Sequence, residues 1–185
     1  MAAMLGTMRE AGEPALEFPK PTSLGCTCRR LRRMARLVTQ LYDEALSAHD
    51  LTIAQFGLMS AIAEHRTRES KDISIGALAN VVGLDPTTLN RNLSTLQRDK
   101  LVEVRPDKDD RRVRAIALTV AGRRRLKQAV PAWRAAQADL ERRLGPETVS
   151  ALNDTLDRSR DELVASLQPR AKKHADASNS GAAQA

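Results

Sequence analysis

Apolar positions along this chain recur at two different periods, and the changes of period mark out its elements. Leu31, Met34, Val38, Leu41 and Ala45 follow one another at steps of three and four, a heptad-like seam that predicts a helix from about Leu24 to Ala48. Thr52 and Gln55 have the spacing of a capping box, flanked by Leu51 and Phe56 at staple positions, so a second helix opens there and continues to about His65. The polar HRTRESKD stretch that follows reads as a loop, with a short strand over Asp72–Ile75. Ser74 is placed to cap a third helix, IGALANVVG, and Gly83 to end it. Asp85 and Pro86 are an N-cap and a first-turn proline for a fourth. Leu101–Arg105 and Val113–Leu118 then alternate with period two across the turn-forming stretch DKDDRR, predicting a hairpin. Thr119 caps a fifth helix, Val120–Leu144, whose stripe is Leu126, Val130, Trp133, Leu140 and Leu144, with Pro131 expected to kink it. Gly145-Pro146 separates it from a sixth, which ends near Leu167 and carries Val149, Leu152, Leu156, Leu163 and Leu167 on one side.

Two short helices joined across Gly83–Asp85 form a helix-turn-helix, and a hairpin directly after the second helix is a wing. With Leu89 set at zero and 100° per residue, Leu93 and Leu96 fall within about 40° of it. Thr87, Arg91, Ser94 and Arg98 lie on the opposite side, with Thr88 and Thr95 at its margin. One face packs and the other presents hydrogen-bonding groups and cations, which is what a helix reading the major groove requires.

The helices at the two ends of the chain also carry apolar seams, and a seam has to be buried against something. Packing the first helix with the fifth and sixth, and that set against its copy, predicts a two-fold homodimer. Such a dimer would hold two recognition helices about one DNA turn, roughly 34 Å, apart and so suit a palindromic operator.

Composition narrows the partners. The 185 residues hold 30 Lys and Arg against 23 Asp and Glu, a net charge of +7, which favours a polyanion. Residues 85–114 carry eight basic and six acidic side chains, so a basic face there has to come from arrangement rather than excess. No run of about 18 apolar residues is present, so no membrane span is expected. Residues 1–23 lack a basic start followed by an apolar core; a secretory leader is not expected. Cys26 and Cys28, the two cysteines, make no disulfide framework, and a reducing cytoplasm is the expected location. His49, His65 and His174 share no ligand spacing, so no metal or other cofactor is expected. Phosphate-binding glycine loops, H-E-x-x-H and a nucleophile elbow are absent, which argues against an enzyme. Arg29, Arg30, Arg32, Arg33 and Arg36 crowd the first helix, either as a solvated face or as contacts to phosphate or an acidic ligand.

The stretches LTIAQFGLMSAI, ISIGALANVVGLDPTTLNRNLSTLQRDKLVEV and DDRRVRAIALTVAG, in this order, resemble the MarR family of bacterial winged-helix transcriptional regulators. The resemblance spans about Cys28 to Leu167. It implies a mainly α, α+β winged-helix fold: a dimerisation helix over 24–50, a winged helix-turn-helix domain over 51–119 and C-terminal dimerisation helices over 120–168; composition adds a flexible arm over 1–23, with its prolines and glycines, and a small, polar, disordered tail over 169–185. It also implies that Thr87, Thr88, Asn90 and Arg91 meet the major groove, and that Arg112 of the wing enters the minor groove, oriented by Asp110. A guanidinium at a hairpin tip is attracted by the negative potential of a narrow minor groove. Arg105, Lys108, Arg111 and Arg114 are then expected on phosphates, and Ser94, Thr95 and Arg98 extend the DNA-facing side of the helix.

Regulators of this family commonly release DNA when a small molecule binds or a cysteine is oxidised. Arg33, Arg36, Tyr42, His49 and Trp133 are the candidates for an effector site, since an arginine beside aromatic surface suits an aromatic acid. Cys28, with Tyr42 fourteen residues on, resembles the hydroperoxide-sensing branch, although Arg32 and Phe56 stand where that branch has hydroxyl-bearing rings. The expectation is a sequence-specific regulator, a repressor, that binds a palindromic operator as a homodimer and is released by a small molecule. The alternatives are release by oxidation of Cys28 and a winged helix serving only protein–protein contact.

Overall fold

A computed structural model describes residues 26–107 and 110–180, with side chains described as far as residue 166. In chain order it contains α1 (Thr27–Leu46), a 3-10 turn (Ser47–His49), α2 (Ile53–Glu69), β1 (Ile73–Ser74), α3 (Ile75–Val82), α4 (Pro86–Arg98), β2 (Val102–Pro106), β3 (Arg114–Leu118), α5 (Val120–Leu144) and α6 (Pro146–Ser180). The chain divides between Val38 and Thr39 into two units. Of the first, the described part is the opening of α1. Arg29, Arg30, Arg32, Arg33 and Arg36 are all exposed there, as are Leu31 and Leu37, while Met34 and Val38 are half-buried. The expected arm over 1–23 and residues 181–185 lie outside the described residues.

Local chemistry explains the second unit. Thr52 accepts the Gln55 amide at 3.2 Å while the Gln55 side chain accepts the Thr52 amide at 3.0 Å, the capping box that opens α2. Ser74 accepts the Ala77 amide at 3.1 Å and opens α3. Asp85 accepts the amides of Thr87 and Thr88, each at 3.0 Å, behind the first-turn Pro86 of α4. Between the two, Gly83 takes a φ of +63°, a left-handed turn that costs a Cβ-bearing residue about 1–2 kcal/mol. The small sheet is antiparallel in the order β1-β3-β2, with Ile73 and Val104 both opposite Ile116. Val102, Ile116 and Leu118 turn inward, and Glu103 and Arg105 outward.

One core holds the unit together. Leu58, Met59 and Ile62 of α2, Leu78 of α3, and Leu89, Leu93 and Leu96 of α4 pack with Ile73, Leu101, Val102, Ile116 and Leu118. Burying each leucine contributes about 1.5–3 kcal/mol, so the apolar stripe of α4 alone anchors that helix firmly. Thr119 joins α5 to the far end of α4. Its amide donates to the Leu101 carbonyl at 3.1 Å, and its hydroxyl donates to the Lys100 carbonyl at 2.7 Å while accepting the Gly122 amide at 2.9 Å.

Three features differ from the sequence reading. Helix α2 does not stop near His65 but runs to Glu69, so the first part of the expected loop is helical. Exposed polar residues suffice for that: Glu64 and Arg68 pair at i,i+4 (3.5 Å), and Ser70 closes the helix in the left-handed region, its amide on the Arg66 carbonyl at 3.0 Å. Helix α6 likewise passes its expected end at Leu167 and continues through Pro169 to Ser180. The Ala- and Lys-rich stretch beyond that proline is good helix former, and one proline removes only one backbone donor. In α5 the fully buried residues are Gly122, Ala129 and Ala136 rather than the large stripe, whose Leu126, Val130, Trp133 and Leu140 are half-buried and whose Leu144 is exposed. Small residues let α5 approach its neighbours closely, and the larger ones then flank the contact.

Candidate nucleic-acid interface

The capped start of α4 and its buried Leu89, Leu93 and Leu96 turn one side of the helix outward. On that side Thr87, Asn90, Arg91, Ser94 and Arg98 are exposed, with Thr88 and Thr95 half-buried at the margin. Several of the shorter side chains bond back to the helix: Ser94 Oγ donates to the Asn90 carbonyl at 2.8 Å and Thr95 Oγ1 to the Arg91 carbonyl at 3.3 Å. Arg98 pairs with the adjacent Asp99 at 3.2 Å. The Arg91 side chain has no hydrogen-bond or ion-pair partner among the described residues, so its guanidinium is available to a ligand on the exposed side of the helix.

The wing is built by its own turn. Asp107 donates its amide to the Val113 carbonyl at 2.8 Å, and Val113 returns an amide to the Asp110 carbonyl at 2.9 Å. The Asp110 carboxylate accepts the Arg112 amide at 2.9 Å, and the Asp107 carboxylate accepts the Asp110 amide at 3.2 Å. Asp110 therefore orients the backbone from which Arg112 projects, by an Asx turn, and makes no ion pair with its guanidinium. Arg111, Arg112 and Arg114 are exposed, and among the described residues none has a side-chain partner. Lys108 lies outside the described residues.

Arg105 is placed differently from the other wing cations. Its Nε and Nη2 both bond Asp72 Oδ2, at 3.0 and 2.5 Å, and its Nη1 reaches Glu103 at 3.2 Å. The hydrogen bond and charge of Asp72 hold the guanidinium pKa above its already high ordinary value. Each nitrogen of that side chain meets a carboxylate, which takes three of its five N–H donors and offsets its charge locally, while the side chain stays 44% exposed. The spacing of basic residues in the wing carries no information about Asp72, which lies 33 residues earlier in the chain.

Of the expected effector residues, Tyr42, His49 and Trp133 belong to the second unit, each with different neighbours. Cys28, Arg33 and Arg36 are exposed on the opening of α1, in the first unit. Tyr42 is buried and donates its hydroxyl to Gln137 Oε1, whose Nε2 donates to Glu141 at 2.7 Å. Burial, then the Glu141 charge, pushes the phenol pKa up. His49 is half-buried, and its carbonyl accepts Arg125 Nη1 at 2.6 Å. Trp133 stacks on Phe56, ring centres 5.9 Å apart and planes 15° from parallel. The pair lines a groove of about 340 Å³ together with Ile53, Gly57, Ser60, Glu64, Val130 and Arg134. Arg134 has no protein partner among the described residues; it was overlooked in the sequence, where only its adjacency to Trp133 marked it.

A three-helix core with a helix-turn-helix and a two-stranded wing defines this as a winged helix-turn-helix protein. Comparison with known proteins makes the class specific. A family model described as MarR family matches residues 49–113. The crystal structure of the transcriptional regulator MosR of M. tuberculosis in complex with DNA superposes with a TM-score of 0.61 at 34% identity, covering 74% of this chain and 97% of that one. The transcriptional activatory protein BadR of Rhodopseudomonas palustris is 30% identical over 94 residues, 51% of this chain and 53% of BadR, so the chain spans about half the length of that relative. The HTH-type transcriptional regulator PetP of Rhodobacter capsulatus is 28% identical over 132 residues, 71% of this chain and 72% of PetP. This chain belongs to the MarR family: it is a DNA-binding transcriptional regulator, in a family of regulators rather than enzymes. None of the helices among its described residues is long and apolar enough to cross a membrane.

Proposed function

We propose that this protein is a repressor that binds a palindromic operator as a homodimer, and that a small aromatic acid releases it. The reading places the outer face of α4, from Thr87 and Thr88 through Asn90, Arg91, Ser94 and Thr95 to Arg98, in the major groove and Arg112 in the flanking minor groove. The observation that carries it is a pair of guanidiniums without partners among the described residues, Arg91 on the helix and Arg112 on the wing, each on an element whose start or turn is held by a carboxylate. Arg111 and Arg114 add phosphate contacts, which give affinity without sequence information. Repression requires only occlusion of a promoter.

Apolar surface supports the dimer. Leu31 (47% exposed), Leu37, Leu144, Leu156, Leu163 and Val164 are exposed on α1, α5 and α6, apolar surface that a second copy would cover. For the effector, the Phe56–Trp133 groove offers an aromatic face with Arg134 as the partner for a carboxylate. Ligand release is preferred over oxidation of Cys28 because the Tyr42 hydroxyl is already donated to Gln137.

The test is binding to the DNA upstream of the protein's own gene by the parent, Arg91→Ala and Arg112→Ala. Each lost base contact is expected to cost about 1–3 kcal/mol and to relax specificity at its own position. Parental binding by both variants would sink the DNA-reading assignment in favour of a protein-contact role. Trp133→Ala is expected to keep operator affinity and lose release by aromatic acids.

A further inference from the structure

A cavity of about 390 Å³ is walled by residues of α2, β2 and β3, by Asp72 and by Arg123 of α5. A charge cluster closes it: Asp72 holds Arg66 at 3.0 Å through one carboxylate oxygen and Arg105 through the other, and Arg105 also holds Glu103. Two cations and two anions cancel, so the cluster contributes no net charge toward DNA. Its position is more telling. Asp72 directly precedes β1, whereas Arg105 belongs to β2, and β3 lies between them. Two inter-strand spacings, about 10 Å, are bridged over Ala115 and Ala117, residues small enough to be crossed.

The wing needs such a tie. Strand β1 meets β3 through only two residue pairs, Ile73 with Ile116 and Ser74 with Ala115. The tip of the hairpin has no side-chain anchor at Arg111 or Arg112 among the described residues. From Ala115, opposite Arg105, to Arg112 is three residues, or roughly 10 Å, so a 10° tilt at the base would move the backbone of Arg112 by about 2 Å, more than a hydrogen bond tolerates. The Asp72 side chain is 9% exposed, which limits competition from water at the joint.

We propose that Asp72 is a positioning residue for operator binding: by clamping Arg105 across the sheet and Arg66 on α2, it sets the angle at which the wing leaves the domain and delivers Arg112 to the DNA. Arg105 is accordingly a strut and not a phosphate contact. The inference rests on the wing contact proposed above.

A double-mutant cycle on the full chain and its own upstream DNA tests it. Asp72→Asn is expected to weaken binding by about five- to thirtyfold when Arg112 is present and by less than about twofold in an Arg112→Ala background, because coupled residues deviate from additivity. Arg105→Gln should behave as Asp72→Asn does. Arg105→Lys, which keeps the charge and loses the fork, should bind like Arg105→Gln. Equal losses in both Arg112 backgrounds, or parental binding restored by the lysine, would overturn the assignment. If Arg112→Ala weakens binding and Asp72→Asn does not, this inference fails alone; if Arg112→Ala has no effect, the wing contact fails and the positioning role with it. Where Asp72→Asn lowers the melting temperature, the paired Arg105 variants carry the same comparison.

Discussion

The Asp110 carboxylate accepts the backbone amide of Arg112 at 2.9 Å, and the Arg112 guanidinium has no partner among the described residues. The acidic residue thus serves the arginine through the chain and not through charge. Asp110→Ala should weaken operator binding by about 0.5–1.5 kcal/mol, the net worth of one such hydrogen bond, whereas Asp110→Asn, which keeps an acceptor oxygen, should bind close to the parent. Fluorescence anisotropy with labelled operator separates the two, and an Asn variant as weak as the Ala variant would point to the charge instead.

Arg111 and Arg114 are exposed beside Arg112 and have no protein partners among the described residues. As phosphate contacts, each replacement by alanine should reduce the slope of log affinity against log salt by about 0.9 and leave sequence preference unchanged. Arg105→Gln, a change at a side chain already neutralised by Asp72 and Glu103, should not change that slope. A salt titration of the three variants decides between these roles.

Two glycines with opposite surroundings give a stability pair. A Cβ on Gly122 would lie 2.0 Å from the Leu101 carbonyl oxygen, in the junction that joins α5 to the end of α4. Neither backbone can give way without breaking the Thr119 bonds, so Gly122→Ala should cost more than about 3 kcal/mol, or prevent folding. A Cβ on Gly76 meets nothing within 4 Å, and Gly76→Ala in α3 should stabilise by up to about 1 kcal/mol. Thermal unfolding monitored by circular dichroism tests both.

Acid should loosen the recognition helix. The Asp85 carboxyl is held below the usual carboxylate range by hydrogen bonds from the Thr88 side chain and amide and from the Thr87 amide. Asp139 on α5 is lowered similarly, chiefly by Arg143. The folded chain thus favours the ionised forms: their stabilisation is complete above the unfolded carboxyl pKa of about 4 and is lost as pH falls through the lower folded value. The melting temperature should therefore drop on acidification below about pH 4. Asp85→Asn, which still caps the helix, should remove part of that drop.

Much of the candidate interface's framework is legible in the chain because its determinants are local. The Asp85-Pro86 start, the Gly83 turn and the leucine stripe of α4 act within one or two helical turns, and the structure places each as its residue type demands. Helix ends were harder to read where polar residues only permit continuation, as beyond His65 and Leu167. The large side chains of α5 misled for a different reason: which residues become fully buried depends on how closely a neighbour approaches, and there it is Gly122, Ala129 and Ala136.

By itself, then, the sequence determined the order of elements, the capped recognition helix and the identity of its outward face, because hydrogen-bonding and periodicity act over a few residues. Only the tertiary structure decided what each exposed cation is free to do. Arg91, Arg105 and Arg112 look alike in a list of residues, yet Arg105 meets Asp72 across 33 positions of sequence, and Glu103 beside it, while the side chains of the other two have no partner among the described residues. That distinction comes from strand order, which brings β1 and β2 to either side of β3, and no local rule of the chain contains it.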